Sequence, residues 1–154
     1  MINRELIRNK VVQLTYAYYQ NGSKNIDSAE KELFFSLSKA YDLYNHLLSL
    51  MAAVSKEAQR HLEVAQSRAR REGTETPSTK FAYNRFAMQL AENRMLNEFI
   101  QTQKKTWSDE PEFIKKLYLQ ITESQIYADY IASSEDSYND DRELWRKLYK
   151  ALIQ

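Results

Sequence analysis

The chain has 154 residues, enough for one domain with a sizeable core. It is 43% hydrophobic and 28% charged, the balance of a folded protein, and its two Gly and two Pro leave a many-stranded β fold without turn chemistry. A net charge of +1 confines any anionic partner to a local patch, and the lack of cysteine excludes disulfide frameworks, thiol catalysis and Cys-ligated zinc. No apolar run reaches membrane-spanning length and no apolar leader opens the chain, so a soluble cytoplasmic protein is expected.

The first stretch, "RELIRNKVVQLTYAYYQNG", reads as an amphipathic helix over residues 3–20. Ile7, Val11, Leu14 and Tyr18 recur at spacings of 4, 3 and 4, which predicts one buried stripe. Asn21 and Gly22 tolerate positive φ and end the helix.

A second, long helix follows, with Asp27 or Ser28 as its cap and Glu30 or Lys31 three residues on. Phe34, Leu37, Tyr41, Tyr44, Leu48 and Met51 alternate by 3 and 4, and Leu33, Ala40, Leu47 and Val54 add a parallel row. So wide a stripe predicts a helix inside a bundle. The pattern continues through Ser55, Ala58, Leu62 and Ala65 in small or polar residues, so the second half, running to Arg71, is expected to be less buried. "REGTETPST", with Gly73 and Pro77, is the clear loop in the middle of the chain.

A third helix is expected over residues 79–105, with Asn93 and Asn97 interrupting its stripe. "SDEPEF" predicts a fourth: Ser108 or Asp109 as cap, Pro111 and Glu112 in the first turn, and Phe113, Ile114, Leu117, Tyr118 and Ile121 facing inward. Thr122 and Gln125 form the expected capping box of a short fifth helix reaching Ile131. "SSEDSYNDD", residues 133–141, reads as an acidic joint before a last helix carrying Leu144, Trp145, Leu148, Tyr149 and Leu152. That helix runs to Gln154 with no stop signal, which suggests a piece of a longer protein. The expected architecture is an all-α, single-domain bundle of five or six helices with one long second helix.

The sequence carries no G-x-G-x-x-G, P-loop or G-x-S-x-G motif. Each of its two histidines follows a carboxylate by four residues, Asp42 before His46 and Glu57 before His61, and both read as helix-surface pairs rather than metal ligands. No catalytic residue, metal or cofactor is expected. Arg68, Arg70 and Arg71, like Lys104 and Lys105, stand at expected helix ends, where cations complement the macrodipole. Most of the eleven tyrosines lie on or beside the apolar stripes and are expected in the core. Tyr16 differs: it lies off the stripe, two turns on from Arg8, so a ring and a guanidinium can share one surface.

Those first-helix residues carry a resemblance to a known family. "RNKVVQLTY", residues 8–16, resembles the opening helix of the NusB transcription antitermination factors, with Arg8, Val12, Gln13 and Tyr16 at matching positions. "AEKELFFSLSKAYDLYNHLL" and "EDSYNDDRELWRKLYKALI" resemble the N-terminal extension of the roughly double-length members. The family's later Leu-Arg pair, Asn-Glu-Ala helix and Phe-Val-Asn-Gly segment do not occur, so residues 1–154 would be the N-terminal part of such a protein.

The resemblance implies an all-helical, non-catalytic protein that binds boxA-type RNA of ribosomal leaders. It would act with the ribosomal protein NusE, the RNA polymerase elongation complex and a C-terminal half of the same chain. Arg8, Gln13 and Tyr16 are then the matched RNA-contact residues, with Arg4 and Lys10 on the same basic edge. The alternative is a non-catalytic helical scaffold or interaction module with no RNA contact. It would dock through the acidic joint at residues 135–141 and the half-polar end of the second helix.

Overall fold

The computed structural model describes residues 3–22 and 25–153. It is all-α, and no strand occurs among the described residues. In chain order the helices are α1 (Arg4–Gln20), α2 (Ile26–Glu72), α3 (Arg85–Glu92), α4 (Arg94–Thr102), α5 (Pro111–Thr122), α6 (Gln125–Ala132) and α7 (Tyr138–Leu148). A 3₁₀ turn at Trp107–Asp109 precedes α5, and a π turn at Tyr149–Ile153 continues α7. The end of the last helix at Gln154 lies outside the described residues. The chain divides into two compact units, one up to Leu47 and one from Leu48 onward. The 47-residue α2, about 70 Å long at 1.5 Å per residue, belongs to both.

The first unit holds α1 and the opening of α2. The Asn3 side chain accepts the Leu6 N–H at 2.8 Å and caps α1. Asn21 closes it through Ala17, and Gly22 alone takes positive φ. The side chain of Asn25, not Asp27 or Ser28, caps α2 by accepting the Ser28 N–H at 3.2 Å. No residue of α1 is buried, and Ile7 and Val11 of the expected stripe are 39% and 42% exposed. The half-covered row is instead Leu6, Lys10, Leu14, Ala17 and Tyr18. On α2 the half-covered row is Leu33, Leu37, Ala40 and Leu47, while Phe34, Tyr41 and Tyr44 of the expected stripe are exposed.

The second unit holds the core. Its α2 segment contributes Leu50, Val54, Ala58 and Leu62, one residue every four, so a single line of small and branched side chains faces inward. Phe81 and Ala82, then Ile114, Leu117 and Ile121 of α5, then Leu144, Trp145 and Leu148 of α7 complete it. The half of α2 expected to be less buried is therefore the buried half. Its small residues let neighbouring backbone approach: the Ser55 hydroxyl and the Gln59 amide both donate to the Ala82 carbonyl, at 3.1 and 3.0 Å.

The expected third helix is two helices. Asn93 takes an extended conformation, closes α3 and caps α4 by accepting the Leu96 N–H at 2.9 Å. A turn replaces its first residues, and Asn84 starts α3 by accepting the Ala87 N–H. This break raises the helix count above the expected five or six.

Ser108 and Asp109 lie in the 3₁₀ turn, closed by a Thr106–Asp109 capping box, and α5 starts after Glu110 without a side-chain cap. Phe113 is exposed rather than inward and stacks on Trp107, with ring centres 5.6 Å apart. Ser124, not Thr122, caps α6, because the Thr122 hydroxyl donates back to the Leu119 carbonyl. The end of the acidic joint is helical: Ser137 and Asp140 form a capping box that starts α7 at Tyr138.

A polar cluster ties α3, α6 and α7 together. The fully buried Asn84 amide accepts from the Trp145 indole N–H at 3.1 Å and donates to the Asp141 carbonyl at 3.2 Å. The Tyr130 hydroxyl donates to the buried Asp141 carboxylate, which also accepts the Arg85 N–H at 2.9 Å. Every member has a partner, the condition for a buried polar network to stabilise rather than cost. Lys80 lies over the Tyr130 ring at 4.5 Å and donates to the Tyr130, Ser133 and Glu135 carbonyls, closing the C-terminal end of α6.

Candidate nucleic-acid interface on the first helix

On a helix of 3.6 residues per turn, positions four apart stack in a column and positions two apart do not face each other. Arg4, Arg8, Val12 and Tyr16 form such a column, and all four are exposed. The Tyr16 ring is 66% exposed, and its hydroxyl accepts a hydrogen bond from the Gln20 amide at 2.9 Å. The ring is thus held by the next turn while its faces stay open. Tyr19 lies one turn beyond Tyr16, also exposed, with its ring edge-to-face on Tyr18 at 5.8 Å.

The structure therefore brings together three of the five expected residues, Arg4, Arg8 and Tyr16. Gln13 is exposed on the flank beside Tyr16. Lys10 stands two positions from Arg8 and shares a column with the half-covered Leu6 and Leu14, so it points away from this edge. Val12 and Tyr19 were not expected here. Val12 lies within the 8–16 motif and Tyr19 one turn beyond it, and a helical projection centred on Arg8 and Tyr16 places both on the edge.

Neither Arg4 nor Arg8 forms an ion pair among the described residues. The cations near the end of α2 differ in this. There Arg68 pairs with Glu72 at 2.8 Å, and the Arg71 Nε donates to the Ser67 carbonyl at 3.2 Å. Those two arginines close their own helix. Lys104 and Lys105 are exposed in the turn after α4.

The expected Glu57–His61 pair forms, and both carboxylates of the two expected pairs also hold a neighbouring cation. Asp42 binds Lys39 at 2.9 Å. Glu57 is shared between Arg60 at 2.6 Å and the His61 Nε2 at 3.0 Å, and the hydrogen bond from Arg60, first among its causes, holds its carboxyl below the usual range. The His61 ring stacks on Tyr118, 4.7 Å between centres. No cluster of three or more metal-ligating side chains occurs among the described residues. A cleft of ≈ 220 Å³ beside His61 is walled by Phe81, Tyr118 and Tyr127. Burial pushes the Tyr118 and Tyr127 phenols up, so at neutral pH they are uncharged packing groups.

Among the described residues no helix is long and apolar enough to cross a membrane. Compared with protein-family models, curated proteins and solved structures, the chain matches none.

Proposed function

We propose that this chain is the N-terminal part of a NusB-type antitermination factor and contacts leader RNA of the boxA type through the exposed edge of α1. The observation that carries this reading is the Arg4–Arg8–Val12–Tyr16 column, two unpaired guanidiniums in line with an open aromatic ring. Guanidiniums neutralise phosphates and release counterions, while a ring beside them stacks on an unpaired base. Gln13 on the flank supplies an amide able to reach a base edge. The protein works without catalysis, metal or cofactor, in the cytoplasm, alongside a NusE-type ribosomal protein, RNA polymerase and further sequence of its own chain. The family likeness rests on the first-helix match and the two longer segments.

Binding to a boxA-like single-stranded RNA across a salt series tests the reading. Arg8→Ala should weaken binding at every salt concentration and reduce the slope of log affinity against log salt by about 0.7–1. Tyr16→Ala should cost about 1–3 kcal/mol with little change in slope. Unchanged affinity and slope in Arg8→Ala would remove α1 from the RNA contact.

A second reading, a protein-interaction module, is favoured by the exposed aromatic row Phe34, Tyr41 and Tyr44 on α2. Of the two surfaces expected for it, the joint before α7 is held by Lys80 and Arg85 yet stays exposed over residues 135–139, and the half-polar end of α2, residues 63–72, is mostly exposed.

A further inference from the structure

The second unit keeps a cleft that the RNA reading does not use. It measures ≈ 220 Å³ and lies where α2, the turn before α3, α5 and α6 meet. Room is left because Ala58, Ala65 and Ala82 each supply a single methyl to its lining. Its walls are aromatic. The Phe81 ring meets Tyr127 edge-to-face at 5.3 Å and lies near-parallel to Tyr118 at 6.5 Å, while Tyr118 stacks on His61. The His61 ring is held in turn by its Nε2 contact with Glu57 at 3.0 Å. The rings brace one another, so the cleft is preformed.

Charge and hydrogen bonding define what fits. No Lys, Arg, Asp or Glu lines the cleft, and Glu57 beside His61 is already shared with Arg60. A charged ligand would lose its hydration there without gaining a counter-charge. The polar groups of the walls are hydroxyls. Those of Tyr118 and Tyr127 form no hydrogen bond among the described residues. Burial, then the Tyr127 phenol nearby, keeps the Tyr118 hydroxyl protonated, so it stays a donor at neutral pH.

We infer that the cleft binds a free, uncharged aromatic molecule of one or two rings that carries a hydroxyl or a ring N–H, the phenol and indole class. Its ring packs among Phe81, Tyr118 and Tyr127, and its polar atom meets the two phenol hydroxyls. Size favours such a molecule. An apolar cavity of about 150 Å³ takes benzene, and sites for drug-sized ligands run to about 300–1,000 Å³. The cleft falls between them, with room for a substituted ring and none for a nucleotide.

The inference rests on the second unit alone, and its test contains no RNA. Amide NMR of the isotope-labelled full chain should show p-cresol and indole binding saturably, with a Kd of about 1 mM or lower and the largest shifts at the cleft. Benzoate and benzylamine should bind at least about tenfold more weakly. So should N-acetyl-tyrosinamide, which carries the cresol ring on a peptide backbone. Tyr118→Phe combined with Tyr127→Phe should weaken p-cresol about tenfold and leave toluene unchanged, because the rings stay and the hydroxyls go. Ala65→Leu, at a half-buried position, should fill the space and abolish binding with an unchanged far-UV CD spectrum.

A wild-type chain that binds neither p-cresol nor indole saturably overturns the inference. So does binding that survives Ala65→Leu, or a loss in the double phenylalanine variant that is equal for p-cresol and toluene. N-acetyl-tyrosinamide binding more tightly than p-cresol assigns the cleft to a protein side chain and likewise overturns the free ligand.

Discussion

The two units handle apolar side chains in opposite ways. From Leu50 to Leu62, α2 carries modest residues, and the inward ones are buried. From Ile26 to Tyr44 the same helix carries larger ones, and Ile26, Phe34, Phe35, Tyr41, Leu43 and Tyr44 are exposed. One uninterrupted helix thus passes from a face packed into the core to a face left exposed. The contrast teaches that a helix face is buried only where other elements supply surface to meet it. The residues after Gly73 supply that surface for the second unit, and the first has only α1 and its own half of α2.

The largest effect expected from this contrast is in core truncation. Leu148→Ala, at a fully buried position, should destabilise the protein by about 2–5 kcal/mol in urea unfolding followed by far-UV CD. Leu43→Ala, at an exposed position, should change stability by no more than about 0.5 kcal/mol. Equal losses would erase the distinction between the units.

A smaller loss is expected at the polar cluster. Asn84→Ala strands the Trp145 indole N–H, the Asp141 carbonyl and the Ala87 N–H, at a cost of about 1–3 kcal/mol. A red shift of Trp145 emission would show water reaching the indole. An unperturbed emission and stability would mean that the cluster does not hold α3 to α7.

The smallest effect is confined to alkaline pH. Burial, then the Asp141 carboxylate beside it, push the Tyr130 phenol well above its ordinary value. On raising the pH past about 10 the unfolded chain loses this proton before the folded one. The stability contribution is therefore fully present below that pH and is lost progressively above it. Tyr130→Phe should flatten the alkaline limb of stability against pH, though not abolish it, because burial raises Tyr118 and Tyr127 as well. An unchanged limb would place the alkaline loss elsewhere.

Much of this architecture was legible along the chain. The stop at Asn21 and Gly22, the length of α2 to Gly73, and the inward Ile114, Leu117 and Ile121 all follow from periodicity and punctuation. Caps were misassigned by a few residues at Asn25 and Ser124, because Ser, Thr, Asp and Asn cluster near each start, and the cap at Ser137 falls inside the stretch read only as an acidic joint. The break at Asn93 was visible only as a noisy stripe, since Asn is tolerated within helices and at their ends alike. Of the α1 edge, Arg4, Arg8 and Tyr16 could be read from spacing. Val12 and Tyr19 were hidden by being apolar, which reads as core until exposure is known.

The sequence by itself determined that the protein is helical, where its long helix runs, and which residues share each helix face, because these depend on local propensity and on the 3.6-residue period. Only the tertiary structure decided which faces are covered, because burial needs a partner surface from distant sequence. That is why the opening of α2, with the stronger stripe, is left open while the quieter half carries the core. It is also why Lys80, Asn84 and Asp141, unremarkable along the chain, hold the ends of α3, α6 and α7 together.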